Sequence, residues 1–165
     1  MVKKVLSWRK EKPEEALLLW ETLQKGNEDL AAELHDLVPR LTGPPEDYEN
    51  LRAIILTVRS LIREMSEKSD VPIEPKAQTT LIDALSQLPG VVGGVVPGAG
   101  GFDAVALLVE DKEPVIESLS QFVRDYRADE KDGEVSIRNV RLLNVKQVNW
   151  GLKKEDASAH PQWLR

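Results

Sequence analysis

The stretch Leu88-Pro-Gly-Val-Val-Gly-Gly-Val-Val-Pro-Gly-Ala-Gly-Gly-Phe-Asp-Ala-Val-Ala-Leu-Leu-Val109 decides the fold. Six of the ten glycines of the chain fall between Gly90 and Gly101. Two apolar, β-type runs flank the densest part, Gly98-Ala-Gly-Gly101, which reads as strand, glycine turn, strand. Glycine takes backbone angles that other residues resist, and its missing side chain lets a ligand approach the main chain. Two readings stay open on these residues alone. Several free N–H groups in such a turn form a concave nest for an anion. A tight hairpin that needs glycine only for its geometry has the same sequence.

Outward from this hairpin the chain is helical on both sides. Upstream, Lys76 to Leu88 carries Ala77, Leu81, Ala84, Leu85 and Leu88 at helical spacing and stops at Pro89-Gly90. Val71-Pro-Ile-Glu-Pro75 before it is extended, since residues preceding proline avoid helical angles. The most regular helix begins near Asp47. Leu51, Ile54, Ile55, Val58, Leu61, Ile62 and Met65 form one face, with Arg52, Arg59, Arg63 and Glu64 assigned to the others. It should pair antiparallel with a helix starting at Pro13-Glu14-Glu15, where proline and carboxylates suit an N-terminus. That helix offers Leu17, Trp20, Leu23, Leu30, Leu34, Leu37 and Leu41, with a bend expected at Gly26, and ends at Thr42-Gly-Pro-Pro45. A short helix at the start presents Val2, Val5, Leu6 and Arg9. Downstream, a turn at Glu110–Pro114 leads to a helix over 114–127 with Val115, Ile116, Leu119, Phe122, Val123 and Tyr126 on one side. Val135, Ile137, Val140, Leu142, Leu143 and Val145 read as one or two further strands, followed by a polar tail over 149–165. Helices on one face of a small, mostly antiparallel sheet make an α+β domain. One domain over 1–165 is expected, with a helical part over 1–70 and a strand, glycine loop, strand, helix, strand part over 71–148.

Composition closes off several functions. The 165 residues carry a net charge of −6 with 5% aromatics, which argues against a general nucleic-acid binder. There is no cysteine, so disulfides, thiolate metal sites and cysteine nucleophiles are excluded, and a reducing, cytoplasmic setting is expected. No apolar run reaches the length of a membrane span. His35 and His160 lack partners at metal-ligand spacing and read as satisfied or exposed side chains rather than ligands; no His-Glu-x-x-His, Gly-x-Ser-x-Gly or Gly-x-x-x-x-Gly-Lys-Ser/Thr motif occurs. Gly98-x-Gly100-x-x-Asp103 misses the third glycine of a dinucleotide fingerprint and precedes a strand rather than a helix. What remains is the glycine loop, Asp103 beside it, and Glu74 and Gln78 upstream. Asp103 suits a substrate hydroxyl or a metal, or equally a loop cap that bonds backbone N–H groups.

At Pro97-Gly98-Ala99-Gly100-Gly101-Phe102-Asp103-Ala104 the sequence resembles the third motif of the GHMP kinases (galacto-, homoserine, mevalonate and phosphomevalonate kinases). Val71-Pro-Ile-Glu-Pro-Lys-Ala-Gln-Thr79, Asp83, Val148-Asn-Trp-Gly-Leu-Lys-Lys154 and the opening Val2-Lys-Lys-Val-Leu-Ser-Trp8 are similar to the C-terminal region of the fungal-type phosphomevalonate branch. The resemblance implies a GHMP-kinase C-terminal domain whose complete enzyme moves the ATP γ-phosphoryl group to 5-phosphomevalonate, for isoprenoid and sterol synthesis. It implies substrate- or phosphate-binding roles for Gly98, Ala99, Gly100, Gly101 and Asp103, with Glu74 and Gln78 as further candidates. The family's first motif and its Pro-x-x-x-Gly-Leu-Gly-Ser-Ser-Ala loop are not found in this sequence. The chain is therefore expected to lack catalytic residues and metal ligands of its own and to be inactive alone. ATP and Mg²⁺ would be held by an N-terminal kinase domain, its partner, and self-association through the face that domain would cover is expected. The alternative is a non-catalytic module that binds a phosphorylated ligand or a protein partner.

Overall fold

The computed structural model describes residues 1–37, 48–128 and 135–143. Seven elements follow in order: α1 (Val2–Glu11), α2 (Pro13–Leu37), α3 (Glu49–Ser69), α4 (Lys76–Leu85), β1 (Val91–Val95), β2 (Ala106–Val109) and α5 (Glu113–Asp125). Pro13 opens α2 and Pro114 lies in the first turn of α5, where the missing N–H removes no helical hydrogen bond. α3 ends on Asp70 in the left-handed region (φ 51°), whose N–H closes the last turn on Ser66 and Glu67 carbonyls.

α2 and α3 form the antiparallel pair that the periodicity predicts. Lys68 of α3 pairs with Glu15 near the start of α2, Trp20 donates its indole N–H to Met65 Sδ, and Asn50 at the start of α3 donates to Glu33 near the end of α2. Midway, Gly26 faces Val58, and a Cβ on Gly26 would lie 3.0 Å from Val58 Cγ2. α2 runs through Gly26 as one helix, so this glycine permits close helix approach, where a bend had been expected. α1 folds onto the same pair: Trp8, Ala16 and Leu19 make a small core with Val5, Leu61 and Met65 at its edge.

β1 and β2 pair antiparallel, with Val91 opposite Val109 and Val95 opposite Ala106, and an irregularity between Val91 and Gly93. Gly93 packs against Ile55 of α3, while Gly94 lies against Leu107 and Ile82 of α4. Adjacent strand residues point to opposite faces, so β1 is flanked by helices on both sides. That explains its fully buried start, Val91 to Gly94. On β2, Leu107 and Val109 join the core and Ala106 and Leu108 face out. One core holds Leu37, Leu51, Ile55 and Val92; a second holds Leu81, Leu85, Leu119 and Val123. The α+β class expected from the sequence is the class observed, but helices lie on both faces of β1 rather than on one, because Gly93 and Gly94 admit α3 on one side and α4 on the other.

Several expectations are corrected. On α1 the buried side chain is Trp8, while Val2 and Leu6 are exposed. On α2 the buried positions are Ala16, Leu19 and Leu37; Leu37 is inward as its spacing predicts, while Leu17 and Leu34 are exposed. Trp8 needs a groove, and the Ala16–Leu19 side of α2 supplies it. Ile116 on α5 is exposed, because the buried stripe is Val115, which packs on Gly90, with Leu119 and Val123, which join Leu81 and Leu85 of α4. Among the described residues 135–143 no strand forms; a single antiparallel bridge joins Ile137 to Ala128. Leu41, Val145, the Asn-Trp-Gly segment and His160 lie outside the described residues. Among the described residues no helix is long and apolar enough to cross a membrane.

Candidate functional site

The glycine loop spans 96–105, between the paired strands. Gly98, Gly100 and Gly101 have φ of 67°, 84° and 115°, angles that L side chains resist. Two loop amides are committed within the chain: Gly100 N–H reaches Pro97 O at 3.3 Å, and Gly101 N–H reaches Ile73 O at 2.9 Å. Gly100 rides so close to Ile73 that a Cβ would stand 2.4 Å from its carbonyl oxygen. Gly98 and Ala99 are exposed, with nothing within 4 Å of a Cβ built on Gly98. The tip of the loop is therefore open, while its C-terminal half is seated on Val71-Pro-Ile-Glu-Pro75. Asp103 is exposed, and the described loop hydrogen bonds run to Pro97, Ile73 and Gln78 rather than to its carboxylate.

Gln78 and Glu74 lie beneath the loop. Gln78, in the first turn of α4, is buried and donates Nε2–H to Phe102 O at 2.7 Å, leaving its Oε1 buried without a partner. Glu74 is more deeply placed, its side chain 1% exposed. Its Oε1 accepts from Arg59 (2.7 Å), Arg63 (3.1 Å) and the Thr79 hydroxyl (3.0 Å), and its Oε2 from Arg59 Nε (3.2 Å). Arg59, 2% exposed, turns its remaining Nη1 to Asp83 of α4 at 2.8 Å. Burial works against the guanidinium charge, but the bonds to Glu74 and Asp83 outweigh it and hold Arg59 above its ordinary pKa. The sequence reading missed Arg59 as an inward residue. A signal was present: it stands four residues after Ile55 and three before Ile62, on the apolar stripe of α3.

A groove of about 710 Å³ opens beside the loop, between α4, β2, α5 and the segment around Ile137 to Leu143. Gln78, Phe102 and Asp103 border one end; Leu81, Leu107 and Leu119 are among the apolar lining. Among the described residues no group of three or more His, Asp or Glu side chains is placed to hold a metal ion. The structure thus brings Gly98 to Asp103, Glu74 and Gln78 into one neighbourhood, with two layers: an exposed loop tip and edge, and a buried polar support.

Residues 50–127 match the family described as GHMP kinases C terminal. The chain is 46% identical over 170 residues to "Phosphomevalonate kinase erg8" of Aspergillus fumigatus, covering 99% of this chain and 34% of that protein. It is 42% identical to "Phosphomevalonate kinase ERG8" of Gibberella zeae, again over 99% of the chain and 34% of the relative. It is 32% identical over 136 residues to "Phosphomevalonate kinase, peroxisomal" of Arabidopsis thaliana, over 64% of this chain and 27% of that one. The chain spans about a third of the length of the two fungal relatives. No solved structure matches it.

Proposed function

Since the chain belongs to the GHMP kinase family, carrying its C-terminal domain over residues 50–127, we propose that it is the C-terminal part of a phosphomevalonate kinase. In that enzyme the γ-phosphoryl group of ATP passes to 5-phosphomevalonate, giving 5-diphosphomevalonate in the mevalonate route to isoprenoids and sterols. The observation that carries this reading is the 46% identity across 99% of the chain to a protein of that name. We read 1–165 as one domain and assign it the substrate-facing wall of the cleft.

The geometry supports a division of labour within the loop. The amides of Gly98 and Ala99 take no part in the described hydrogen bonds, lie at the open tip and suit a phosphate oxygen. Gly100 and Gly101, whose N–H groups are used internally, give the loop its shape. Asp103 suits a substrate hydroxyl at the groove edge. Phosphoryl transfer of this kind depends on positioning and on neutralising charge on the phosphoryl oxygens, commonly with Mg²⁺. We assign ATP and Mg²⁺ to the remainder of the enzyme, on the resemblance that puts the phosphate-wrapping Gly-Leu-Gly-Ser-Ser-type loop outside this C-terminal part, and the chain alone should not turn over. Exposed Phe102 and Leu108 beside the loop suit contact with that remainder. We propose a cytoplasmic setting for the enzyme, a reducing compartment that a cysteine-free segment such as this one suits.

The test is a coupled phosphoryl-transfer assay of the enzyme containing this chain, with ATP and phosphomevalonate, mevalonate, homoserine or galactose. A kcat/KM at least about a hundredfold higher for phosphomevalonate, some 2.7 kcal/mol of discrimination, supports the reading. A preference for any other acceptor overturns it.

A further inference from the structure

We propose that the buried Arg59–Glu74 pair is a positioning device for the glycine loop, acting on the phosphoryl-transfer cleft without touching substrate; this rests on the kinase reading above. Both attachments of the loop trace back to the same guanidinium. The first is Ile73, whose carbonyl holds Gly101 N–H and whose backbone leaves no room for a side chain on Gly100. Ile73 is the immediate neighbour of Glu74, and all four described bonds to the Glu74 carboxylate fix that segment to α3 and α4. The second is Gln78, whose amide holds Phe102 O. It sits on α4, which Arg59 grips through Asp83, one and a half turns further along.

A purely stabilising role explains this pair poorly. Placing two charges at 2% and 1% exposure carries a desolvation penalty that the mutual attraction seldom exceeds, and apolar packing of similar volume usually serves stability as well. A bidentate guanidinium–carboxylate contact instead fixes distance and direction. Here it fixes the relative placement of α3, α4 and the extended segment on which the loop rests.

Hydrogen exchange at single amides in the 165-residue chain tests this. Three variants are compared: Glu74→Gln, Asp83→Asn, which alters the half-exposed end of the cluster and so risks less in folding, and Leu19→Ala in the separate Trp8 core as a destabilised control. The expected result is exchange at the Gly101 amide at least about tenfold faster in Glu74→Gln, a 1.4 kcal/mol opening, with a smaller increase in Asp83→Asn. In both, the amides of α2 should change less than Gly101. In Leu19→Ala, Gly101 should change no more than α2 does. If Glu74→Gln does not fold, Asp83→Asn alone decides. Exchange at Gly101 that only keeps step with α2 in the Glu74 and Asp83 variants overturns the proposal. The same variants placed in the enzyme should raise KM for phosphomevalonate several-fold more than they change KM for ATP. A loosened Gly101 with both KM values and kcat unchanged would leave the loop support standing and overturn the loop's part in the proposed kinase.

Discussion

Gly98 and Gly100 separate two reasons for glycine within three residues. Both have positive φ, but Gly98 faces open space and Gly100 faces the Ile73 backbone. Gly98→Ala should therefore cost only the left-handed penalty, about 1–2 kcal/mol. Gly100→Ala adds a collision with a carbonyl oxygen and a Cα, which cannot rotate away as a side chain can. Its cost should be about 3 kcal/mol or more, with the Gly101 amide losing protection. Urea midpoints of the two variants check the ranking; equal losses would mean that the loop does not sit on Ile73. The sequence showed that glycine was needed here, but not which glycine met a neighbour, because that depends on a segment some 25 residues upstream. Arg59 failed differently. Its spacing placed it on the apolar stripe, but charge alone assigned it to solvent, and only the fold brings Glu74 and Asp83 within reach.

Helices show the same division between what is local and what is not. α3, α4 and α5 were legible because their apolar residues repeat with the helical period and prolines or glycines punctuate them. The phase of the first turns of α2 was not, since Ala16-Leu-Leu-Leu-Trp20 is apolar throughout and only the docking of Trp8 selects Ala16 and Leu19; further along, Leu30 and Leu37 reach the core as their spacing predicts. Residues 135–143 carry a strand-like composition yet make one bridge, which shows how much a strand depends on its partner. The α2–α3 seam offers a measurable case. Gly26→Ala gains about 1 kcal/mol in helix propensity but presses a methyl to 3.0 Å from Val58 Cγ2. Alone it should be neutral or destabilising, and in a Val58→Ala background it should be stabilising by about 1 kcal/mol relative to Val58→Ala. A double-mutant cycle without coupling would place Gly26 away from Val58. A second case is the tie from α1 to the end of α3, where Lys4 Nζ meets the Asp70 carboxylate at 2.8 Å. The Lys4 hydrogen bond and charge hold Asp70 below its ordinary 3.8. A depressed carboxylate contributes stability above its unfolded pKa and loses it as pH falls through the lower folded value. NMR titration should show that lowered midpoint, and Lys4→Met should return it towards 3.8; an unmoved midpoint would break the assigned pair.

At the scale of the whole molecule, a groove of about 710 Å³ opens along the core of Leu81, Leu85, Leu119 and Val123. Its edges carry Phe102, Leu142 and Leu143, all exposed, Leu143 at 76%. Apolar area left in water costs roughly 25 cal/mol per Å², and a net charge of −6 spread over 165 residues opposes association only weakly at physiological salt, where screening acts within about 8 Å. The isolated chain should therefore self-associate with rising concentration, and salt should strengthen the effect by screening like charges. Leu143→Glu should suppress it while shifting the unfolding midpoint little, because that side chain is already in water and surface changes rarely exceed about 0.5 kcal/mol. Light scattering against concentration, with and without added salt, reads the outcome. A monomer throughout would show that this apolar rim is tolerated as it stands. Association insensitive to Leu143→Glu would move the sticky surface elsewhere, with exposed Leu17 and Leu18 on the outer side of α2 the next to test.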